Sequence, residues 1–457
     1  MFTRREFLKN SVLFGSAAMF LPACSSAPKP RKIGANEKLN VAVVGCGGRG
    51  FETVKAVGSL AKNANLVALC DVDFDRAAPA FKKYPSAARF RDYRKMLSKM
   101  GRDIDAVAVC TPDHMHYPIA AWAIANGKHV FCEKPLTRTI WEARELKRLA
   151  DEAGVVTQMG NQGHTYDGWK DLREWVESGI LGDIEEICMW TSRPMWPQGA
   201  DLKRPAAGGK IPETLSYDLW LGVAPFQPYS KNVVPFNWRG LRNFGTGSAG
   251  DMACHFFDTP YSALDLGFPT SFSVKSSPFT DYSFPFKTSM VMNFDNKWGK
   301  NGKIKLRWFD GRQRPEHVKG VSEEFLKDPR SQNCLFVVGS KATFSGTHYG
   351  TESKLTSREL MIELKKGGAF PAKKYARSKH KGLPQLGWID SCIDGTESES
   401  NFGYACPFTE MVLLSMVGAL VPERELKYNP AAMSFDSCPE ADRLVSSLYD
   451  YNPSFLP

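Results

Sequence analysis

Leu39-Asn40-Val41-Ala42-Val43-Val44-Gly45-Cys46-Gly47-Gly48-Arg49-Gly50 is the stretch that decides how this chain folds. Its first six residues are an unbroken apolar run, the pattern of a parallel strand buried on both faces. The next six satisfy G-x-G-x-x-G, and residues 51–61 read as a helix. A second strand, residues 66–70, ends at Asp71, about twenty residues past the loop, the spacing of a dinucleotide fingerprint. Gly45 allows the tight turn, Gly47 lets the backbone approach a pyrophosphate, and Gly50 lets helix and strand pack closely. The helix N-terminus then faces the phosphate charge. Gly48 and Arg49 complete the loop. Asp71 is expected to accept hydrogen bonds from the adenosine ribose, with Asp73 as its rival. A carboxylate there repels the extra phosphate of NADP, so NAD is the expected cofactor.

The same rhythm continues outward. Residues 104–110 form a strand, followed by Thr111-Pro112-Asp113-His114-Met115-His116-Tyr117. A helix over 117–126 is closed by Gly127. The strand 129–132 leads into Glu133-Lys134-Pro135-Leu136. The next helix opens on a capping box, Thr139 with Glu142, and buries Ile140, Ala143, Leu146 and Ala150 before Gly154. Residues 155–159 are the last strand of this unit. Beyond Met159 the alternation stops. A polar turn, Gly160-Asn161-Gln162-Gly163-His164, precedes a short helix over 171–178 and a strand over 184–190. Residues 193–244 are loop-like and aromatic, and a loop that long is usually functional. Later strands are expected at 289–293, 303–309 and 335–338. Segments 386–392, 401–409 and a helix over 410–421 are expected to return and brace the two domains.

Four pieces occur in order: G-C-G-G-R-G (45–50), C-T-P-D-H-M-H (110–116), E-K-P-L (133–136) and G-T-G-S-A-G-D-M-A-C-H-F-F-D (245–258). Together they resemble the Gfo/Idh/MocA family, the relatives of glucose–fructose oxidoreductase and inositol dehydrogenase, over roughly residues 38 to 425. The resemblance implies an α/β chain. A Rossmann domain (39–158) is followed by an α+β domain (159–457) with a large open, mainly antiparallel sheet. It also implies an NAD-dependent oxidoreductase. Lys134 sits beside the nicotinamide, His116 near its ribose, Thr111, Pro112 and Glu133 along the cofactor, and Asp251 with His255 in the second domain. Oxidising an alcohol needs a base for the hydroxyl proton, and His255 suits that task. Asp251, one helical turn away, is expected to orient the ring, and Lys134 to stabilise the developing oxygen charge.

Aromatic rings stack on sugar faces, and Arg and Asn side chains read hydroxyls. Trp238, Arg239, Asn161 and His164 are therefore expected to line a carbohydrate pocket. D-L-W-L-G (218–222) and N-W-R-G (237–240) resemble a subgroup of exported bacterial members. His114, His116, His164, Cys254 and His255 lack a second fixed ligand pair, so no metal is expected. Two other functions fit the same residues. One is an NAD-dependent glycosidase working by transient oxidation and elimination. The other is a non-catalytic sugar-binding lipoprotein, which would predict loss of Lys134 or His255; both are retained.

The chain starts MFTRREFLKN SVLFGSAAMF LPACSS. Arg4-Arg5 resembles a twin-arginine export signal, and Leu21-Pro22-Ala23-Cys24 a lipobox that would leave Cys24 lipidated. Residues 1–23 are thus expected to be removed and 24–38 to form a flexible tether. The expected location is the periplasmic side of the envelope, anchored to the membrane. That compartment has no free nicotinamide pool, so the cofactor is expected to travel bound. Cys24 is assigned to lipid, and the ten other cysteines show no C-x-x-C spacing, so mostly free, buried thiols are expected. The 457 residues carry a net charge of +10 with 43% hydrophobic and 24% charged content, a soluble globular composition. The densest basic stretch, 365–381, reads as a solvated loop, and no nucleic-acid motif accompanies it. In the body of the chain no apolar stretch of membrane-span length is expected. The pattern leaves a homo-oligomer open.

Overall fold

The computed structural model describes residues 28–457, apart from 35, 206, 447–450 and 452. The expected export signal and Cys24 lie outside the described residues. The first domain alternates β1 (Leu39–Val44), α1 (Arg49–Lys55), β2 (Ala64–Cys70), α2 (Phe74–Lys83), β3 (Ala88–Phe90), α3 (Tyr93–Met100), β4 (Ala106–Val109), α4 (His116–Ala125), β5 (His129–Cys132), α5 (Ile140–Ala153) and β6 (Thr157–Met159). The six strands are all parallel in the order β3-β2-β1-β4-β5-β6. That order reverses direction at β1, which opens a crevice beyond the C-terminal ends of β1 and β4. β4 and β5 are buried along their whole length, as their apolar sequence requires. α5 carries the expected capping box: Glu142 N–H donates to Thr139 Oγ1 at 3.2 Å and Thr139 N–H to Glu142 Oε2 at 2.9 Å.

The second domain contains α6 (Gly168–Glu177), β7 (Ile184–Thr191), α7 (Tyr217–Leu221), α8 (Gly247–Phe256), α9 (Asp258–Leu264), β8 (Ser271–Ser276), β9 (Thr288–Lys300), β10 (Lys303–Phe309), α10 (Glu323–Lys327), β11 (Asn333–Gly339), β12 (Thr343–Gly346), β13 (Ser353–Leu355), α11 (Arg358–Lys366), α12 (Pro384–Asp394), α13 (Phe402–Leu420) and β14 (Glu425–Leu426). Its eight-stranded sheet runs β13-β12-β11-β7-β10-β9-β8-β14. Neighbours are antiparallel except β7 and β10, which run parallel. Along β10 Ile304, Leu306 and Trp308 are buried between the outward Lys303 and Lys305, the period-two pattern of a sheet with one wet face.

Helices late in sequence complete the first domain. Trp388 of α12 is fully buried beneath that sheet, its ring 5.8 Å from Phe131 of β5, and Gln385 donates to Thr53 Oγ1 of α1 at 2.9 Å. α13 corrects one expectation. Its 19 residues are long and apolar enough to cross a membrane, yet the helix is mostly buried inside the fold. It is apolar all round because it packs on both domains.

Two surface readings also change. The described part of the presumed tether lies against the first domain. Arg31 grips Asp105 through two hydrogen bonds of 2.8 and 2.9 Å, and Ile33 joins the core under β1. The basic run 365–381 is largely neutralised from within, because α6 presents Asp171, Glu174 and Glu177 one turn apart. Arg377 pairs with Asp171 at 2.7 Å and Glu174 at 2.8 Å, Lys374 with Glu177 at 3.2 Å, and Lys381 with Asp167 at 2.5 Å. The ten cysteines from Cys46 to Cys438 are free thiols, all buried but the half-buried Cys110.

His129, buried at the start of β5, accepts the Val156 N–H on Nδ1 at 2.9 Å. Burial lowers its pKa from 6.5 to about 4. The unfolded chain takes up that proton near pH 6.5 and the folded chain only near 4. The contribution is therefore complete above 6.5 and lost as pH falls toward 4. Between pH 6.5 and 4.5, denaturant unfolding should weaken by about 1.4 kcal/mol per pH unit more in the wild type than in His129→Gln. Parallel pH profiles would exclude this role.

Candidate active site

The crevice beyond β1 and β4 is walled on one side by the glycine loop and on the other by α8 and the aromatic segment after β7. At the loop, close packing leaves no room for side chains. A Cβ on Gly50 would stand 1.8 Å from the Gly45 carbonyl oxygen, and one on Gly45 would stand 2.6 Å from that of Cys110. Gly45 and Gly48 have φ of 84° and 54°. Asp71 closes β2, but its carboxylate turns back onto the loop. Oδ2 accepts Cys46 N–H at 2.7 Å and Gly47 N–H at 3.2 Å, and Oδ1 accepts Asp73 N–H at 3.0 Å. Burial raises its pKa against those amides. Asp71 therefore shapes the loop and lines the crevice as well. Asp73 caps α2 through Arg76 N–H.

At the inner end, a loop of the first domain meets a helix of the second. Lys134, after β5, donates to the Asp251 carbonyl at 2.9 Å and to Asp251 Oδ1 at 3.0 Å. Asp251 lies on α8 and so does His255, one turn on. The aspartate thus holds the lysine; orienting the histidine, its expected task, is not what its contacts do. Burial works against both charges, but each partner outweighs it: the lysine pKa rises and the aspartate pKa falls. Burial, then the charges of Lys134, His348, Arg49 and Arg193, pushes His255 well below 6.5, so its ring is neutral. His255 Nδ1 is buried with no protein partner. The Tyr349 ring abuts it edge-on at 4.8 Å. Arg49 reaches across to Glu133 at 3.1 Å.

Other expected residues divide. Thr111, Pro112, Glu133, Trp238 and Arg239 line the crevice. Arg239 lies 4.3 Å over the Trp238 ring and 3.8 Å from Asp251 Oδ1. His116 sits beneath, its ring nitrogens 2.8 Å from the Pro135 and 2.9 Å from the Thr111 carbonyl oxygens, joining the two loops. Asn161 and His164 point away from the crevice. Asn161 Nδ2 donates to Asp258 Oδ1 at 2.9 Å, His164 Nδ1 lies 3.0 Å from the same oxygen, and Tyr404 donates to it at 2.5 Å. Their neighbours Gly160 and Gln162 face the crevice instead.

Sequence reasoning missed the outer end. Arg76 of α2 folds across the loop, where a Cβ on Gly47 would meet its Cγ at 2.4 Å. Its position five residues past Asp71, in the first turn of a helix, was the available signal. Residues 212–216 of the second domain strap this end. Thr214 carbonyl accepts Phe74 N–H at 3.1 Å and Arg91 at 2.5 Å, and Ser216 N–H donates to the Val72 carbonyl at 2.9 Å. The C-terminal segment adds Phe455, whose carbonyl accepts Tyr93 Oη at 2.9 Å.

The residues present fit a dinucleotide: a loop that tolerates no Cβ, and two crevice-lining residues, Thr111 and His255, that each carry a buried polar atom without a protein partner. This fold and crevice define a two-domain dinucleotide-binding α/β protein. Two family models match in turn, "Oxidoreductase family, NAD-binding Rossmann fold" over residues 39–161 and "Oxidoreductase family, C-terminal alpha/beta domain" over residues 168–275, together just over half of the chain. The chain belongs to the Gfo/Idh/MocA oxidoreductase family, and its first domain is an NAD-binding Rossmann domain. It is 32% identical over 146 residues to D-glucoside 3-dehydrogenase of Escherichia coli (strain K12), covering 32% of this chain and 41% of that one. It is 27% identical over 146 residues to inositol 2-dehydrogenase of Salmonella typhimurium (strain LT2), covering 32% and 43%. These matches span about two fifths of the relatives' own length. The WlbA dehydrogenase from Chromobacterium violaceum, solved with NADH and UDP-GlcNAcA, shares the fold. Its TM-score is 0.61 at 16% identity, covering 88% of this chain and 99% of that one.

The Asp258 cluster generates a prediction. Asp258→Ala leaves the buried Asn161 amide and His164 ring without their acceptor. It also takes one of two partners from Tyr404, whose hydroxyl also meets Ser262 Oγ. The substitution should cost about 2 kcal/mol or more in denaturant unfolding. NAD affinity measured by titration should stay within about twofold. Unchanged stability would show that the cluster holds nothing together.

Proposed function

We propose that this chain is an NAD-dependent oxidoreductase acting on a hydroxyl of a sugar, glycoside or cyclitol, with Lys134 and His255 carrying the chemistry. The observation that carries this reading is the meeting of Lys134, Asp251 and an unpartnered, neutral His255 at one end of the crevice. The glycine loop, Asp71, Thr111 and Glu133 would hold the cofactor, and when bound it supplies the two-electron acceptor. The chain's own residues do the rest. The neutral His255 ring, which lines the crevice, takes the hydroxyl proton. The Lys134 ammonium, fixed by two bonds to Asp251, faces the same oxygen and steadies its developing negative charge. Asp251 acts by keeping the lysine charged and aimed. Trp196 and Trp238, both buried, form part of the apolar wall of the crevice.

Relatives named for a glucoside and for inositol agree with a polyol substrate. The strap over residues 212–216 supports a cofactor retained through many turnovers, as an enzyme sent to the envelope would need. The reading of the first 24 residues completes the proposal: twin-arginine export, lipidation of Cys24 and a periplasmic, membrane-anchored enzyme.

Lys134→Ala and His255→Ala should each lower turnover of the active sugar by roughly a hundredfold or more. NAD should still be recovered from the denatured protein by mass spectrometry. Near-normal turnover in either variant would remove that residue from the chemistry. Recovery of NADP would overturn the cofactor assignment, and a hydrolysed glycoside as product would favour the oxidation–elimination route.

In cell fractionation, the wild type should sediment with membranes and Cys24→Ala should be released to the soluble envelope fraction. A cytoplasmic wild type would refute the export reading.

A further inference from the structure

The inner end of the crevice holds positive charge that no protein group answers. Four cations gather there: Arg49, Lys134, Arg193 and Arg239. Glu133 answers Arg49 and Asp251 answers Lys134. The third carboxylate, Asp113, is buried with its pKa raised and accepts the Thr246 hydroxyl at 3.1 Å. Arg193 follows β7 and lines the crevice half-buried. Among the described residues its guanidinium has no ion pair and no hydrogen-bond acceptor. Its charge acts on Asp251, His255 and His348, so it stands at the reacting end, away from the pyrophosphate side of the glycine loop. Arg239 gives one donor to the Phe236 carbonyl at 3.0 Å and lies over Phe236 and Trp238. At 3.8 Å it is too far to hydrogen-bond the Asp251 oxygen already taken by Lys134.

Holding a guanidinium partly out of water without a counter-ion costs free energy, and its planar fork matches a carboxylate or sulfate. We infer that Arg193 and Arg239 receive an oxyanion carried by the substrate, so that the preferred substrate is an acidic carbohydrate, a uronate or a sulfated sugar, in place of a neutral one. This rests on the carbohydrate oxidoreductase reading above.

The test uses the purified protein with its cofactor and matched methyl glycosides in gluco, galacto and manno configuration: neutral, 6-carboxylate and 6-sulfate. Binding is read by tryptophan fluorescence and chemistry by reduced-nicotinamide absorbance. In at least one configuration a charged member should bind about tenfold or more tighter than the neutral one at low ionic strength, and the gap should narrow with salt. The ranking of carboxylate and sulfate identifies the oxyanion. Arg193→Gln and Arg239→Gln should each erase most of the preference, Arg→Lys should restore part of it, and cofactor content should be unchanged. Equal binding of neutral and charged members, no binding of any member, or a preference that survives both Gln variants overturns the inference. Loss of cofactor from Arg193→Gln also overturns it, since the arginine would then serve the pyrophosphate. Turnover of a neutral glycoside with no charge preference leaves the oxidoreductase reading standing alone. Tight binding of a charged member without any nicotinamide signal leaves the anion site standing and removes the oxidoreductase reading.

Discussion

The ion pair between Lys134 and Asp251 is the contact on which the site depends, because it crosses from one domain to the other. Lys134 is delivered by the turn after β5, and Asp251 by a helix that the second domain packs against it. A buried ammonium and a buried carboxylate are each costly alone, and removing either partner strands the other. Two things follow. The lysine stays charged in a place where burial would otherwise neutralise it. Its charge, in turn, helps keep His255 on α8 in the unprotonated form. One pair thus fixes the protonation states of two functional groups and the separation of the domains that carry them.

Around that pair the fold supplies rigidity from buried polar groups. His116 ties the Thr111 turn to the Pro135 turn from below. Asp258, at the start of the helix after α8, gathers Asn161 and His164 from the turn after β6 and Tyr404 from α13. Both clusters lie behind the crevice wall, where a shift of an ångström would propagate to the lysine or the histidine. These histidines therefore serve the site by holding its walls.

The first domain was legible because its signals are local. Apolar runs, glycines with positive φ, a capping box and Gly154 each specify a short piece, and the pieces recur in order. Lys134, Asp251 and His255 could be placed together only through motif resemblance, since 117 residues separate the lysine from the aspartate and nothing local links them. The partner of Asp251 was misread for that reason: spacing along a helix suggested His255, and the stronger partner came from another domain. Asn161 and His164 were misplaced because alternate residues of one turn face opposite ways, and composition cannot say which way. Arg193 and the strap at 212–216 were invisible because they sit in segments without periodicity. The basic run at 365–381 looked solvated because its acidic counterpart lies about 200 residues earlier.

The late return of α12 has a consequence for how the chain is made. The region of the first sheet around Phe131 is covered by Trp388 and Ile389, and those residues come more than 200 positions after β6. At about 5–20 residues per second, a ribosome needs roughly ten to fifty seconds to reach them after β6 has been synthesised. During that interval an apolar patch of a nearly finished domain is left uncovered. Completion of the NAD-binding domain therefore awaits a segment made more than 200 residues later.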